Sequence, residues 1–253
     1  MQVGVCTISA KSRPVESIIE YCGDLGVDGV EVWGEAHVGD GSAERCREIA
    51  TAAADSGVAV PVYGSYLRPG GESFDAEFER ELAIADRLGA DLVRVWAGEQ
   101  EYEDCDPEHW DRVVADLDRL GTAARERELA VTVERHAGTV TNATAGARKL
   151  IERVDSPAVG LNWQPLFAHD GATVVADARE LAALANNVHL QAVPAPGGSD
   201  RCALAESYFD VATVVGAFDD AGLDGFLEVE FVTGAAPYEA ALAADVAFLR
   251  ALV

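Results

Sequence analysis

Four polar side chains stand where apolar, strand-like segments of the sequence end. Glu134 follows AVTV, Gln164 follows VGLNW, His189 lies within NNVHLQAV, and Glu230 lies in GFLEVEF. Oxygen and imidazole groups at successive strand ends can converge on one metal ion and one substrate. That convergence requires the four segments to be neighbouring strands of a closed barrel, so the rest of the chain must supply the remaining strands and the helices between them.

Strand-like and helix-like runs do alternate along the chain, with Gly or Asp at most junctions. The predicted strands are QVGVCTI, GVEVW, VAVPVYGSY, DLVRVWAG, LAVTVER, AVGLNW, VHLQAV and GFLEVEF. The predicted helices are PVESIIEYCGDLG, SAERCREIATAAADSG, FDAEFERELAIADRLG, DPEHWDRVVADLDRLGTAARERE, 144–154, DARELAALA, YFDVATVVGAFDDAG and PYEAALAADVAFLRALV. Eight strand and helix pairs predict an α/β fold, a single (β/α)8 TIM barrel forming one domain over residues 1–253. An open doubly wound sheet is the alternative, but no GxGxxG follows the first strand.

Two prolines bear on these assignments. Asp106 and Pro107 are suited to cap and open the long fourth helix. Pro61 weakens the third strand, because proline cannot donate a hydrogen bond to its neighbour in a central strand.

Two glutamates are the first candidates for catalysis, since reacting groups of such barrels lie at the C-terminal ends of the strands. A carboxylate pointing into the barrel mouth must be paired, protonated or metal-bound. For Glu134 the structural alternative is an ion pair with Arg94 or Arg135. Glu228 and Glu230 share one strand face, so one can act as ligand and the other as a supporting group or base; we favour Glu230, which lies nearer the strand end.

The sequence evidence for a functional role is less specific for the histidines and Gln191 than for the two glutamates. His189 can be a metal ligand or an ordinary core residue, and Gln191 shares its face and offers an amide to sugar hydroxyls. His136 follows Glu134 on the same face and is a candidate proton carrier or substrate contact. The remaining three are interpreted as surface residues in loops or at helix starts: His37, His109 and His169.

Aromatic and arginine side chains near strand ends are candidates for substrate binding. Trp33, Trp96 and Trp163 can stack on a sugar ring or simply pack in the core. Arg94 and Arg201 can hold an anionic group, although Arg201 lies in the loop PAPGGSDRCAL, where a solvated arginine is equally expected. No P-loop or GxSxG elbow occurs, and nothing marks Cys6 as a nucleophile.

The amino-acid composition limits which binding partners and which cellular compartment are expected for this protein. Acidic residues outnumber basic ones 44 to 19 and give a formal net charge of -25, a balance typical of salt-adapted proteins from halophiles. No basic face is available for nucleic acid, and no segment reaches the roughly 20 apolar residues of a membrane span. The five cysteines form no CxxC pair, which indicates reduced thiols. The N-terminus has no signal-peptide pattern, so a cytoplasmic location is expected.

The order of GVEVW, VRVWAG, TVERHAGT, VGLNWQP, VHLQAVP and GFLEVEF resembles the xylose isomerase-like barrel superfamily. That superfamily contains sugar isomerases and epimerases, including hydroxypyruvate isomerase and ketose 3-epimerase branches, and the resemblance covers essentially the whole chain. It implies a divalent metal (Mn, Mg or Co) bound by two glutamates, an aspartate and a histidine, one from each of strands five to eight. Carried over, the glutamates are Glu134 and Glu230, and the histidine falls at His189 or at the alternative Gln191.

The sequence departs from the family pattern at strand six. Gln164 stands at the position of the family's aspartate, and Phe167 stands where many members have a histidine. A Gln oxygen can still coordinate a hard cation, and Asn162 offers another neutral oxygen, but losing one negative charge weakens a metal site. The resulting predicted metal ligands are Glu134, Gln164, His189 and Glu230.

The resemblance implies proton abstraction beside a carbonyl of a sugar or sugar phosphate through an enediol, with Glu134 and Glu230 as acid and base. The predicted substrate-binding residues are Arg94, Trp96, His136, Gln191, Arg201 and Glu228. The alternatives are a keto-polyol dehydratase on the same site and a non-catalytic or metal-free sugar-binding barrel. A metal-dependent endonuclease of abasic-site repair needs a basic DNA face, which this chain lacks. The expected partner is a small carbohydrate, and the sequence leaves room for a homo-oligomer.

Overall fold

Eight parallel strands close into a barrel in sequence order, as the computed structural model of residues 1–253 shows. The strands are β1 (Gln2–Cys6), β2 (Gly29–Trp33), β3 (Ala59–Gly64), β4 (Leu92–Trp96), β5 (Ala130–Glu134), β6 (Val159–Trp163), β7 (Ala185–Leu190) and β8 (Phe226–Val229). β1 pairs with β8, which closes the barrel. The predicted (β/α)8 fold is therefore confirmed.

A helix follows every strand and covers the outside of the barrel. The helices are α1 (Val15–Asp24), α2 (Ala43–Asp55), α3 (Phe74–Leu88), α4 (Pro107–Arg125), α5 (Thr144–Val154), α6 (Gly171–Leu181), α7 (Val211–Asp220) and α8 (Tyr238–Arg250). Asp106 caps α4 by accepting a hydrogen bond from the backbone nitrogen of His109, and Pro107 is its first residue, as predicted. No helix is both long and apolar enough to span a bilayer.

Pro61 lies in a true strand because the sheet is irregular at that point. The pairing of β2 with β3 shifts between Gly29, opposite Ala59, and Glu31, opposite Val62. One residue of β2 therefore faces two residues of β3, which is the geometry of a bulge. A bulge interrupts the regular ladder, so the missing N–H of proline is tolerated there.

The apolar core lies between the barrel and the helices. Alternate strand residues such as Val5, Val93, Val133, Leu161 and Leu227 are fully buried beneath the helices. Burying each such side chain contributes about 1.5–3 kcal/mol relative to leaving it exposed. This layer holds the strands in place without using the residues that face the barrel axis.

The inward face of the strands is polar and closely packed. Glu31, Arg94, His189 and Glu228 are at most 3% exposed inside the barrel. Gly64 leaves them room, since a Cβ there would lie 2.5 Å from Oε1 of Glu31 and 2.8 Å from Nη2 of Arg94. Barrel interiors are more often filled with Val, Ile and Leu, so this charged interior needs a functional or structural explanation.

Candidate active site

The deeper of two polar layers inside the barrel consists of Glu31, Arg94, His189 and Glu228, and we call it the lower layer. Arg94 donates from Nε to Oε1 of Glu31 at 2.8 Å. Nε2 of His189 lies 2.8 Å from Oε2 of Glu31 and 3.3 Å from Oε2 of Glu228. Two cationic groups thus lie among carboxylates, with all four side chains withdrawn from solvent.

In this layer, neighbouring charges offset the effect of burial on the pKa values of the side chains. Burial alone raises the pKa of Glu31, but Arg94 and His189 more than offset it and hold that pKa well below its usual value. Burial lowers the pKa of His189, yet the nearby Glu31 and Glu230 carboxylates raise it well above its usual value. His189 is therefore an imidazolium whose ring nitrogens both carry protons.

Glu228 differs from the other carboxyl groups of the lower layer. Burial, together with the neighbouring charge of Glu31, raises its pKa to about 7. Asn187 donates to its Oε2 at 2.7 Å. Burial and Glu31 also raise the pKa of the Cys6 thiol well above its usual value, so Cys6 is a protonated donor to Glu31 and not a thiolate.

Above the lower layer, at the C-terminal ends of β5 to β8, lie Glu134, Gln164, Gln191 and Glu230, which we call the upper layer. Gln164 donates from Nε2 to Oε1 of Glu134 at 2.9 Å. Gln191 donates from Nε2 to Oε1 of Gln164 at 2.8 Å and to Oε2 of Glu230 at 2.5 Å. The two amides therefore join the two carboxylates in one continuous chain of hydrogen bonds.

The two carboxylates of the upper layer have different surroundings. Oε2 of Glu134 also accepts a hydrogen bond from Nη1 of Arg94, so both of its oxygens are engaged. Oε1 of Glu230 has no donor within hydrogen-bond distance, since Nδ1 of His189 is 3.6 Å away. One donor atom from each of Glu134, Glu230 and His189 lies within 4.8 Å of the other two. A small substrate can thus reach both carboxylates at once.

Aromatic and basic side chains surround the mouth above these carboxylates. His136 stacks on Trp96 with ring centroids 4.2 Å apart, and the guanidinium of Arg68 lies 4.2 Å from the same ring. Tyr66 lies beside Trp96 and accepts a hydrogen bond from the indole of Trp33. The structure therefore brings predicted contacts Trp96 and His136 to one side of the mouth.

Arg201 reaches the mouth from the loop after β7. Its guanidinium lies 5.1 Å from the rings of both Phe167 and Phe231, and Nη1 donates to the backbone of Ser199. Burial lowers its pKa, while the charge of Glu230 acts in the opposite direction. Arg201 is therefore half-buried, so the alternative of a freely solvated loop arginine does not apply.

Two sequence interpretations are wrong, and for Trp163 the structure shows the core-packing alternative. His37 and His109 are not surface residues, since they are 3% and 4% exposed. His37, in the short helix Gly34–Val38 after β2, bonds Thr7 through Nδ1, and His109, in the first turn of α4, accepts from the backbone of Glu99 through Nε2. Trp163 does not line the mouth; it points outward, is fully buried and packs on Phe218 of α7.

The structure distinguishes between Arg94 and Arg135, the two arginines considered as ion-pair partners of Glu134. Arg94 bonds Glu134, whereas Arg135 points out of the barrel and pairs with Asp177 of α6. This follows from the alternation of side chains along β5, which places consecutive residues on opposite faces.

Glu31 is the main residue that sequence reasoning missed. It stands in GVEVW between buried valines, and it organises both cations of the lower layer. The signal was available, because a carboxylate within an apolar strand needs a partner in the same way as Glu228. Tyr66 was also missed, and it lies in the loop after β3, where the sequence has no distinctive pattern.

A divalent ion does not fit these residues as they are arranged. A metal ligand must offer a lone pair, whereas Nε2 of His189 is engaged with Oε2 of Glu31 at 2.8 Å and Nδ1 faces Oε1 of Glu230 at 3.6 Å. Gln164 and Gln191 direct their NH₂ groups, and not their oxygens, at Glu134 and Glu230. The predicted ligands Glu134, His189 and Glu230 do lie together, but both oxygens of Glu134, Nε2 of His189 and Oε2 of Glu230 are engaged with protein groups.

The sequence and the fold can be compared with known proteins at this point. A sequence profile described as the xylose isomerase-like TIM barrel matches residues 19–252. The chain belongs to this family. The predicted superfamily is thereby confirmed, while no curated protein gives a significant match.

Solved structures similar to this xylose isomerase-like barrel include enzymes of more than one class. The probable 3-DHS dehydratase of petrobactin synthesis from Bacillus anthracis is 18% identical over 99% of both chains, with a TM-score of 0.81. A 3-keto-D-glucoside 4-epimerase from E. coli is 18% identical over 99% of both chains, with a TM-score of 0.74. A xylose isomerase-like protein from Mycobacterium smegmatis in complex with magnesium is 18% identical over 99% of this chain and 96% of its own, with a TM-score of 0.73. At these identities the similarity establishes the shared fold.

Proposed function

We propose that this barrel is an isomerase or epimerase of sugars or small hydroxy-carbonyl compounds that moves a proton beside a carbonyl group. The observation that supports this most is the approach of Glu134 and Glu230, whose carboxylate oxygens lie within 4.8 Å of each other at the barrel mouth. Two carboxylates in one mouth can serve as base and acid on neighbouring atoms of one substrate.

The unequal hydrogen bonding of the two carboxylates assigns their roles. Oε1 of Glu230 is free to take a proton from the carbon beside the carbonyl, leaving the electron pair in the carbon–carbon double bond of an enediolate. Glu134, which is paired with Arg94, accepts the proton of the adjacent substrate hydroxyl. In an isomerisation, Glu230 returns its proton to the neighbouring carbon and Glu134 returns the hydroxyl proton to the former carbonyl oxygen. In an epimerisation, Glu134 delivers its proton to the opposite face of the carbon that lost one, and Glu230 returns its proton to the hydroxyl oxygen.

The remaining residues bind substrate and stabilise charge. The amides of Gln164 and Gln191 and the cations of the lower layer lie beside the developing enediolate oxygen, where fixed donors and positive charge lower the barrier. Trp96 with His136 forms a flat apolar wall suited to a sugar ring. Arg201 reaches the mouth opposite Glu230 and can bind a hydroxyl or a phosphate. No step requires the metal predicted from the resemblance, which stays a prediction.

Incorporation of solvent deuterium tests the proposal. The protein is incubated in deuterated buffer at molar salt with a panel of ketoses, aldoses, their phosphates and small hydroxy-ketones, and each is examined by NMR. Wild-type protein should exchange the proton beside the carbonyl of at least one compound. Glu230→Gln should reduce that rate by about 10²–10⁴-fold, because a general base is lost.

Glu152→Gln is the matched control, since Glu152 is an exposed residue of α5 far from the mouth. It should exchange at the wild-type rate. Absence of exchange by wild-type protein with every compound would contradict the proposal. Loss of water from a keto-polyol without isomer formation would instead indicate the dehydratase alternative, which begins with the same proton abstraction.

A further inference from the structure

The orientation of two amides distinguishes the upper layer from a metal site. Gln191 donates to both Gln164 and Glu230, and Gln164 donates to Glu134. With both NH₂ groups directed at carboxylates, the oxygen of Gln164 is the acceptor for Gln191. The orientation of each amide is thus fixed by the charges at the two ends of the chain.

A divalent ion bound among these residues would require both amides to reverse. Cations bind an amide through its oxygen, and a reversed Gln164 or Gln191 would place that oxygen against a carboxylate oxygen. The reversal would break three hydrogen bonds, two of which are made to carboxylate oxygens. The carboxylates would also have to release their present partners.

Positive charge is already present beneath the upper layer. The guanidinium of Arg94 bridges Glu31 and Glu134, and the ring of His189 lies between Glu31 and Glu230. Arg94 and His189 are 3% and 0% exposed, so solvent does not screen these contacts. Gly64 provides the space that the guanidinium occupies. The cationic function is therefore built into the chain itself.

We infer that this barrel works without a metal ion, because Arg94 and the Gln164 and Gln191 amides occupy the role of the cation between Glu134 and Glu230. The inference rests on the proposed function, since it takes proton transfer as the role of the site. The geometry that supports it does not depend on the substrate.

Calorimetric titration with manganese chloride tests the inference. Wild-type protein, treated with chelator and dialysed, is titrated in about 1 M KCl, where a Debye length of about 3 Å suppresses loose binding to the acidic surface. No saturable one-to-one binding with a Kd below about 100 µM is expected. The double variant Gln164→Asp with Gln191→His, which supplies a carboxylate and an imidazole in the upper layer, should bind one Mn²⁺ about 100-fold more tightly than wild type.

Gln2→Asp is the matched control, since it adds the same charge at an exposed position at the start of β1, the opposite end of the barrel from the mouth. It should bind no more tightly than wild type. One tight Mn²⁺ per wild-type chain would overturn the inference, as would a folded double variant with no gain over wild type. If the double variant does not fold, the wild-type titration still decides. Wild-type protein that binds no manganese and exchanges no deuterium contradicts the proposed function and not this inference.

Discussion

The two polar layers of the barrel differ in depth and in how their carboxylates are bonded. In the lower layer, Glu31 bonds both Arg94 and His189, and the whole group is sealed from solvent, although Oε1 of Glu228 and Nδ1 of His189 have no hydrogen-bond partner. In the upper layer, Glu230 keeps one oxygen without a donor at the mouth. The layers share two strands: His189 and Gln191 are two positions apart at β7, and Glu228 and Glu230 are two positions apart at β8.

This difference indicates that the lower layer mainly stabilises the fold and the upper layer mainly takes part in proton transfer. A buried network of charges fixes geometry, and removing Arg94, which lies between two carboxylates, leaves an uncompensated charge. A carboxylate with an open oxygen at the mouth can exchange a proton with a substrate. We therefore expect loss of Arg94 from the lower layer to reduce stability first and changes in the upper layer to reduce activity first.

The largest effect should come from Arg94→Met, which leaves Glu31 and Glu134 without their shared cation. Breaking a buried ion pair on one side costs about 3–5 kcal/mol of unfolding free energy. The measurement is urea denaturation followed by circular dichroism. Arg148→Met is the control, because its pair with Glu180 is exposed and contributes about 0–1 kcal/mol. Equal losses in the two variants would mean that the lower layer does not stabilise the barrel.

Glu228→Gln should change how stability depends on pH. The pKa of Glu228 is raised to about 7 in the folded protein, so its neutral form is favoured by folding. Neutral Glu228 therefore stabilises the fold fully below about pH 4.5, and this stabilisation is lost as the pH rises through 7. The loss in unfolding free energy is on the order of 3 kcal/mol. Glutamine stays neutral, so the variant should match wild type at pH 4.5 and exceed its stability at pH 8. Parallel pH profiles for the two proteins would contradict this.

Gly64→Ala should have a smaller effect on the lower layer. The new Cβ would press on Glu31 and Arg94, and overpacking of this kind costs about 1–3 kcal/mol. Gly216→Ala, in α7 with nothing within 4 Å of the new Cβ, should instead stabilise by about 0.5–1 kcal/mol. Thermal denaturation of both variants checks the difference in sign. A stabilised Gly64→Ala would show that the guanidinium is not tightly enclosed.

The fold was predictable because its signal is local and repeated. Eight apolar strands alternating with eight amphipathic helices leave few arrangements other than a closed barrel, and even Pro61 fits once a bulge is allowed. The positions of Glu134 and Glu230 followed from the same pattern, since both end apolar strands.

The layer to which each polar residue belongs was not predictable from the sequence. His189 and Gln191 share a face, but only the stagger between β7 and its neighbours decides which one lies beside Glu134 and Glu230. The pairing of β6 with β7 shifts between Leu161 and Asn162, and no sequence pattern marks that irregularity. The burial of His37 and His109 likewise depends on loops whose course is set by tertiary contacts.

Deuterium exchange by chelator-treated protein, with wild type and Glu230→Gln compared side by side, tests the central claim most directly. The account predicts that wild type exchanges the proton beside a substrate carbonyl at the same rate with or without added Mn²⁺, and that the variant loses this exchange. Exchange that appears only when Mn²⁺ or Mg²⁺ is added, or that persists in Glu230→Gln, would contradict it.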